Sequence, residues 1–357
     1  MRSLAAYDHP LRGAIAGWVF VLALMTAAMV LIGGLTRLTE AGLSIVVWQP
    51  LVGAIPPLTD DAWNQAFAQY QQYPEYQTLN YGMALADFKR IFLIEFVHRL
   101  WGRLIGVAFL VPFVFFFIKG AFHGVTRRPL LQSLLGVFAL GGVQAFLGWY
   151  MVSSGLVERP EVSAYRLALH LAVGLVIFLA LLTIALHLTR RPMPDLDEVK
   201  AARRLRRWAG RLLLLAFATV IAGSFVAGLD AGLTYNTFPL MDGRLIPDGY
   251  FLLMPVWRNF FENVATVQFD HRLLGIITGL SAIVMWFMLR RAILPRKARV
   301  ALYHVGAMGL IQPALGIATL INVVPIPLAL THQAGALVLL ASILWYRVEL
   351  TLAAHHR

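Results

Sequence analysis

A chain of 357 residues that is 59% hydrophobic and only 13% charged is not composed like a soluble domain, whose charged share is about 25%. It has no cysteine, which excludes disulfides, iron–sulfur clusters, zinc–thiolate centres and CxxCH heme attachment, and leaves any metal to His, Met or oxygen ligands. Its net charge of +12 comes with no nucleic-acid-binding motif; the basic residues lie beside apolar runs, a distribution that reports membrane topology and speaks against nucleic acid as a partner.

Apolar runs of about 20 residues are long enough to cross a bilayer, and eight occur, at about 14–35, 91–118, 129–152, 163–188, 209–230, 264–289, 299–320 and 327–352. The short polar N-terminus offers no cleavable signal and no Arg- and Ser-rich transit peptide, which favours a bacterial inner membrane. In the outer loop 36–90, Thr59-Asp60-Asp61-Ala62-Trp63 reads as a helix start with acids at the positive end of its dipole. Trp63, Phe67 and Tyr70 share one face of that helix, which either lies on the membrane or lids a cavity, or else packs on the bundle as an ordinary loop helix. Residues 231–263 form the matching loop of the second half.

The alternate linkers are basic: Lys119, Arg127 and Arg128; Arg190 to Arg211; Arg290 to Arg299. With both termini they hold 20 of the 30 Lys and Arg, against seven in the other loops and three (Arg99, Arg103, Arg272) within spans. The positive-inside rule then puts both termini in the cytoplasm.

An ordered internal repeat divides the chain. GGLTRLTEAGLS (33–44) pairs with GSFVAGLDAGLT (223–234), EFVHRLWGRLIG (95–106) with QFDHRLLGIITG (268–279), VQAFLG (143–148) with IQPALG (311–316), and LHLAVG (169–174) with THQAGA (331–336). The fold expected is an all-α integral membrane protein, its eight transmembrane helices forming two pseudo-symmetric four-helix bundles, 1–195 and 196–357. An even number of spans per half gives both halves one orientation, related by an axis along the membrane normal.

Four histidines stand out: His98, His170, His271 and His332. Each lies five to eight residues inside the outer start of an even-numbered span, which at about 1.5 Å per residue is about 10 Å below the hydrocarbon edge. A lone intramembrane imidazole is as readily explained by a hydrogen bond to a neighbouring helix. Four matched ones suggest two pairs, His98 with His170 and His271 with His332, each clamping the iron of a planar macrocycle. Gly102, Gly174 and Gly275 follow their histidines by four residues and Gly335 by three, on the same helix face; they leave room either for a flat ring or for close helix packing. His9, His123, His187, His304, His355 and His356 have no partner in the repeat.

The two HRL motifs differ at one telling position. Glu95, one turn before His98, is matched by Gln268. A carboxylate can move a proton where an amide cannot, so the first half is expected to do chemistry and the second to carry electrons or serve structure. The plainer reading pairs Glu95 with Arg99 or Arg37. Asp270 points to another face and is expected to pair with an arginine. Arg37, Arg99, Arg166 and Arg272 suit binding of heme propionates, or snorkel to the interface. Gln144 and Gln312, at similar depth, orient a histidine or a propionate, or bridge helices.

At these residues, over essentially its whole length, the chain resembles the heme A synthase family, in EFVHR, LALH, QFDHR and LTHQ. The resemblance implies heme O as substrate at His98 and His170, a resident heme b on His271 and His332, and Glu95 as the catalytic residue. The activity it implies is oxidation of the C8 methyl of heme O to a formyl group, with oxygen from water, to give heme A for terminal oxidases. Implied partners are heme O and heme A, membrane lipid, heme O synthase and cytochrome oxidase assembly factors. The lack of the cysteine pair found in some members points to the proteobacterial and mitochondrial branch and rules out thiol-based steps. The competing readings are a diheme b-type cytochrome in quinol-linked electron transfer and a transporter with parallel repeats.

Overall fold

The computed structural model describes residues 4, 7–47, 53–155, 162–190 and 199–353. Its architecture rests on eight long helices: α1 (Arg12–Leu38), α2 (Leu85–Ile118), α3 (Arg128–Gly155), α4 (Ala164–Leu188), α5 (Val199–Gly228), α6 (Val264–Leu289), α7 (Arg296–Ile321) and α8 (Ile326–Ala353). Each contains a stretch long and apolar enough to cross a membrane, and the protein is an all-α, multi-pass membrane protein. The expected boundary at 195/196 lies outside the described residues, as do His355 and His356.

Two helices overrun their expected limits. α5 begins at Val199, inside the basic run read as a linker, because its Ala, Leu and Arg residues are strong helix formers; one turn of that extension places Arg204 5.3 Å from the Trp208 ring. α2 begins at Leu85, and its extra outer turns form a post for the loop before it. The loop helix Asp60–Tyr70 starts where expected, Thr59 accepting a hydrogen bond from the Ala62 amide at 3.2 Å. Of the two readings of this helix, packing is what occurs. Trp63 meets Phe92 edge-on at 5.0 Å and Tyr70 stacks on Phe88 at 5.2 Å, and Phe96 completes the cluster. Burying such rings contributes about 1.5–3 kcal/mol each, which fixes the loop against α2.

α1 and α4 from the first half pack against α5 and α8 from the second. Small residues let the backbones approach: a Cβ at Gly228 would lie 2.7 Å from the Ala164 Cβ. The Gln333 amide on α8 donates to the Val30 carbonyl on α1 at 3.0 Å, and Arg37 at the end of α1 pairs with Asp230 beyond α5 at 2.7 Å. Within the second half, α5 packs on α6, α6 on α7, α7 on α8 and α8 on α5, a closed ring. Within the first half α1 packs on α2 and on α4, and α3 on α4, but α2 and α3 scarcely approach one another.

Candidate functional site

All four histidines project from even-numbered helices onto a glycine of the helix before. A Cβ at Gly33 on α1 would lie 3.4 Å from the His98 ring, and one at Gly148 on α3 would lie 3.3 Å from that of His170. In the second half, Cβ atoms at Gly223 on α5 and Gly316 on α7 would each come within 2.8 Å of the rings of His271 and His332. These four glycines align in the repeat, Gly33 with Gly223 and Gly148 with Gly316. They lie inside the repeated segments, but on the helix before each histidine and not on the histidine's own, so spacing from the histidine does not reveal them.

The ring nitrogens have defined partners. His98 Nδ1 lies 3.2 Å from Thr36 Oγ1, whose hydroxyl already donates to the Ile32 carbonyl at 2.9 Å. The oxygen therefore accepts from His98 Nδ1–H. His271 Nδ1 donates to the Thr219 carbonyl at 3.1 Å. Both rings thus carry their proton on Nδ1 and keep the Nε2 lone pair, the form that ligates a metal. His187 and His304 make the same kind of Nδ1 contact, but to carbonyls of their own helices, at 2.8 and 2.9 Å.

A glutamine meets each of the other two rings. The Gln144 amide lies 3.2 Å from His170 Nε2, and the Gln312 amide lies 3.2 Å from His332 Nδ1 while donating to the His332 carbonyl at 2.8 Å. Of the alternatives for these glutamines, contact with a histidine is what occurs. This contact also accounts for two of the glycines placed after the histidines. A Cβ at Gly174 would lie 3.3 Å from the Gln144 amide, and one at Gly335 would overlap Gln312. Gly102 faces Met29, and only Gly275 borders open space, so the expectation of room for a flat ring at all four positions needs correction.

The donor set fits an iron macrocycle. The His271 and His332 rings stand 6.4 Å apart between centroids, at 83°. Two imidazole nitrogens each about 2 Å from a shared metal would separate their ring centroids by about 6 Å. In the first half His170 Nδ1 is buried without a hydrogen-bond partner, and it keeps a lone pair for a metal when the Gln144 side-chain amide is turned so that its oxygen accepts from Nε2–H.

Beside each pair, a strap of outer loop crosses the helix ends. In the first half, Glu95 is buried and its Oε2 accepts from Ser44 Oγ and the Ile45 amide, both at 2.7 Å, while Oε1 accepts from Arg99 Nε at 3.0 Å. Arg99 also donates to the Ile45 carbonyl at 2.8 Å. In the second half, Gln268 donates to the Tyr235 carbonyl at 3.0 Å, and Arg272 donates to the carbonyls of Tyr235 and Thr237 at 2.6 and 2.9 Å. The design repeats, but only the first strap is held by a carboxylate. The Glu95–Arg99 pairing is therefore present, alongside two neutral donors. Arg166 donates to the Tyr150 carbonyl at 2.6 Å and lies over that ring. Asp270 accepts from the Tyr250 hydroxyl at 2.6 Å, where an arginine was expected.

A second carboxyl approaches Glu95 from the outer loop. Glu75 is buried, with Tyr70 as a hydrogen-bond partner, and burial pushes its pKa up to about 8, assisted by the negative charges of Glu95 and Glu40. Nothing in the local sequence marks it, since its neighbours are set by loop packing.

A family model described as cytochrome oxidase assembly protein (COX15-CtaA) matches residues 16–344. A protein of Nitrosospira multiformis named heme A synthase is 48% identical over 336 residues, 94% of this chain and 93% of its own. One of the same name from Rhodospirillum centenum is 48% identical over 93% of this chain and 87% of its own. A mouse protein named heme A synthase COX15 is 44% identical over 94% of this chain and 82% of its own.

Proposed function

This chain belongs to the cytochrome oxidase assembly protein family that includes these heme A synthases, and from that premise we propose a division of labour between its two histidine pairs. It is an oxidoreductase that converts heme O to heme A, oxidising the C8 methyl to a formyl group for terminal oxidases. The substrate heme O is held by His98 and His170. His271 and His332 would hold the resident heme b, which would supply one-electron redox chemistry.

The observation that carries this reading is the exchange of Glu95 for Gln268 between otherwise matching sites. Turning a methyl into a formyl group with oxygen from one water releases four protons and four electrons. Glu95, one turn outward of His98, is placed to accept protons and orient the attacking water. Ser44, the Ile45 amide and Arg99 hold its two oxygens and fix its direction. Gln268 keeps the shape without the proton chemistry, which suits a site whose occupant is unchanged. Arg37, Arg99, Arg166 and Arg272 supply positive charge for propionates at the outer rim. The basic linkers support cytoplasmic termini, sites toward the periplasm, and residence in a bacterial inner membrane. Heme O synthase and oxidase assembly factors are the partners on either side of the reaction.

The test is to co-express the chain with a heme O supply and extract the hemes. Heme A, or heme O hydroxylated at the methyl, is expected; recovery of only heme O and heme b would make the protein a diheme cytochrome.

A further inference from the structure

Equivalent glycines of the two halves behave oppositely. In the second half a Cβ at Gly279 on α6 would lie 2.6 Å from Pro313 Cγ and 2.8 Å from the Gly309 carbonyl on α7. One at Gly309 would lie 2.9 Å from the Ala282 Cβ and 3.0 Å from the Gly279 carbonyl. These helices touch backbone to backbone. The repeat matches Gly279 to Gly106 on α2 and Gly309 to Gly141 on α3. A Cβ at either of these meets nothing within 4 Å, and both glycines are exposed, as is Gly142.

The cause is a difference in side chains. Gly306 on α7 is the notch that receives Trp286 of α6, a Cβ there falling 2.5 Å from the indole. The matching position on α3 is Phe138, whose ring stacks on Phe109 of α2 at 5.5 Å. Pro313, which seals against Gly279, is matched by Ala145. The first half thus has a bulky prop toward the inner side and no seal above it. Gly106 lies eight residues below His98 on α2, and Gly141 seven below Gly148, the seat of His170, on α3. At about 1.5 Å per residue, both sit about 10–12 Å further into the bilayer than the histidine layer.

We infer that the gap between α2 and α3, bordered by Gly106 and Gly141, is a lateral portal through which heme O passes between the bilayer and His98 and His170. The occupant follows from continuity with the candidate site and from chemistry. Heme O is flat and apolar with a long isoprenoid tail, so its resting place is lipid and its path is through hydrocarbon. Glycines leave a slot with no side chains to displace. The second half, with an equal number of helices and the same glycines, is closed, as suits a site that retains its heme. This inference rests on the assignment of substrate to the first half.

The experiment uses the full chain, loaded with heme b, in nanodiscs, with heme O delivered from lipid vesicles and followed by absorbance. Gly106→Phe and Gly141→Phe should slow both association and dissociation of heme O by more than about tenfold, leaving affinity within about threefold and the heme b band unchanged. Unchanged rates would overturn the portal. So would weaker affinity at an unchanged association rate, since those glycines would then line the site itself. A His98→Ala arm separates the two readings: if heme O absorbance persists unaltered there, the ligand assignment fails instead. Should either phenylalanine variant lose its heme b band, a nitroxide on Gly141→Cys, in a chain with no other cysteine, decides. Relaxation by lipid-dissolved oxygen is expected, and a buried, oxygen-inaccessible signal overturns the portal.

Discussion

The two halves carry the same scaffold of histidines, glycine seats and arginine-held straps, and part company at three places. Gln268 stands where the first half has Glu95; Gly306 and Pro313 stand where it has Phe138 and Ala145. All three differences run in one direction. The second half has a neutral amide in place of the carboxylate and helices closed on each other, as the proposed resident site requires. The first half has a carboxylate at the strap and two helices held apart. A duplicated bundle needs few substitutions to turn a binding site into a site that exchanges and alters its occupant, and none of them need touch the histidines.

Removing one histidine from each half is expected to have the largest effect. His332→Ala or His271→Ala should abolish the b-type reduced-minus-oxidised spectrum, because a single imidazole cannot clamp an iron from both sides. His98→Ala should leave that spectrum intact and end heme A formation. Equal effects from both halves would erase the proposed division.

Next comes Glu95→Gln, which makes the first strap resemble the second. Loss of a positioned proton acceptor should lower heme A formation by about 100-fold or more while heme O still binds. Arg99→Lys serves as the companion: it keeps the charge beside Glu95 but loses the fork that also holds the Ile45 carbonyl. If that variant reproduces the Glu95→Gln phenotype in full, Glu95 is a strap holder and its catalytic assignment falls.

A smaller effect is expected at the glutamines. Gln312→Leu should weaken heme b binding by about 10- to 100-fold, the usual consequence of losing a partner behind a ligand histidine. Gly335→Ala would displace the same amide, so the double variant should be no worse than either single one. Additive losses, read from heme titration, would show that Gly335 and Gln312 act separately.

Much of this was legible beforehand, for identifiable reasons. Eight spans follow from length and hydropathy, which report a segment's own residues. The histidine pairs and Glu95 emerged because duplication supplies an internal control. What escaped depends on how helices are rotated against each other. The glycine seats lay within the repeated segments, yet nothing in one strand of sequence says that Gly33 faces His98 rather than lipid. The open α2–α3 gap was concealed for the same reason: both halves read GxxxG on the helix after the first histidine, and only the residue opposite, Phe138 or Gly306, decides whether those glycines close. The stability cost should follow suit. Gly279→Leu must overpack a backbone contact at a cost of about 1–3 kcal/mol, whereas Gly106→Leu should leave the thermal midpoint nearly unchanged.

The smallest effect is expected at Glu75, the buried carboxyl of the first outer loop. Its carboxyl titrates at about 8 in the folded loop, against the usual 4.5. The folded state therefore holds the proton more tightly than the unfolded one. Stability from this group is complete below pH 4.5 and is lost as the pH rises through about 8. Glu75→Gln, which cannot ionise, should match the parent at pH 5 and exceed it at pH 9. The natural measurement is amide-exchange protection of residues 60–80, corrected for intrinsic rates, across that range. The same carboxyl lies close enough to Glu95 for each charge to oppose the other. With that proton held, the loop beside Glu95 carries no added negative charge, and the variant should flatten the alkaline limb of the activity profile. If loop protection in the parent is flat from pH 5 to 9, Glu75 is ionised throughout, and this coupling between loop and site is absent.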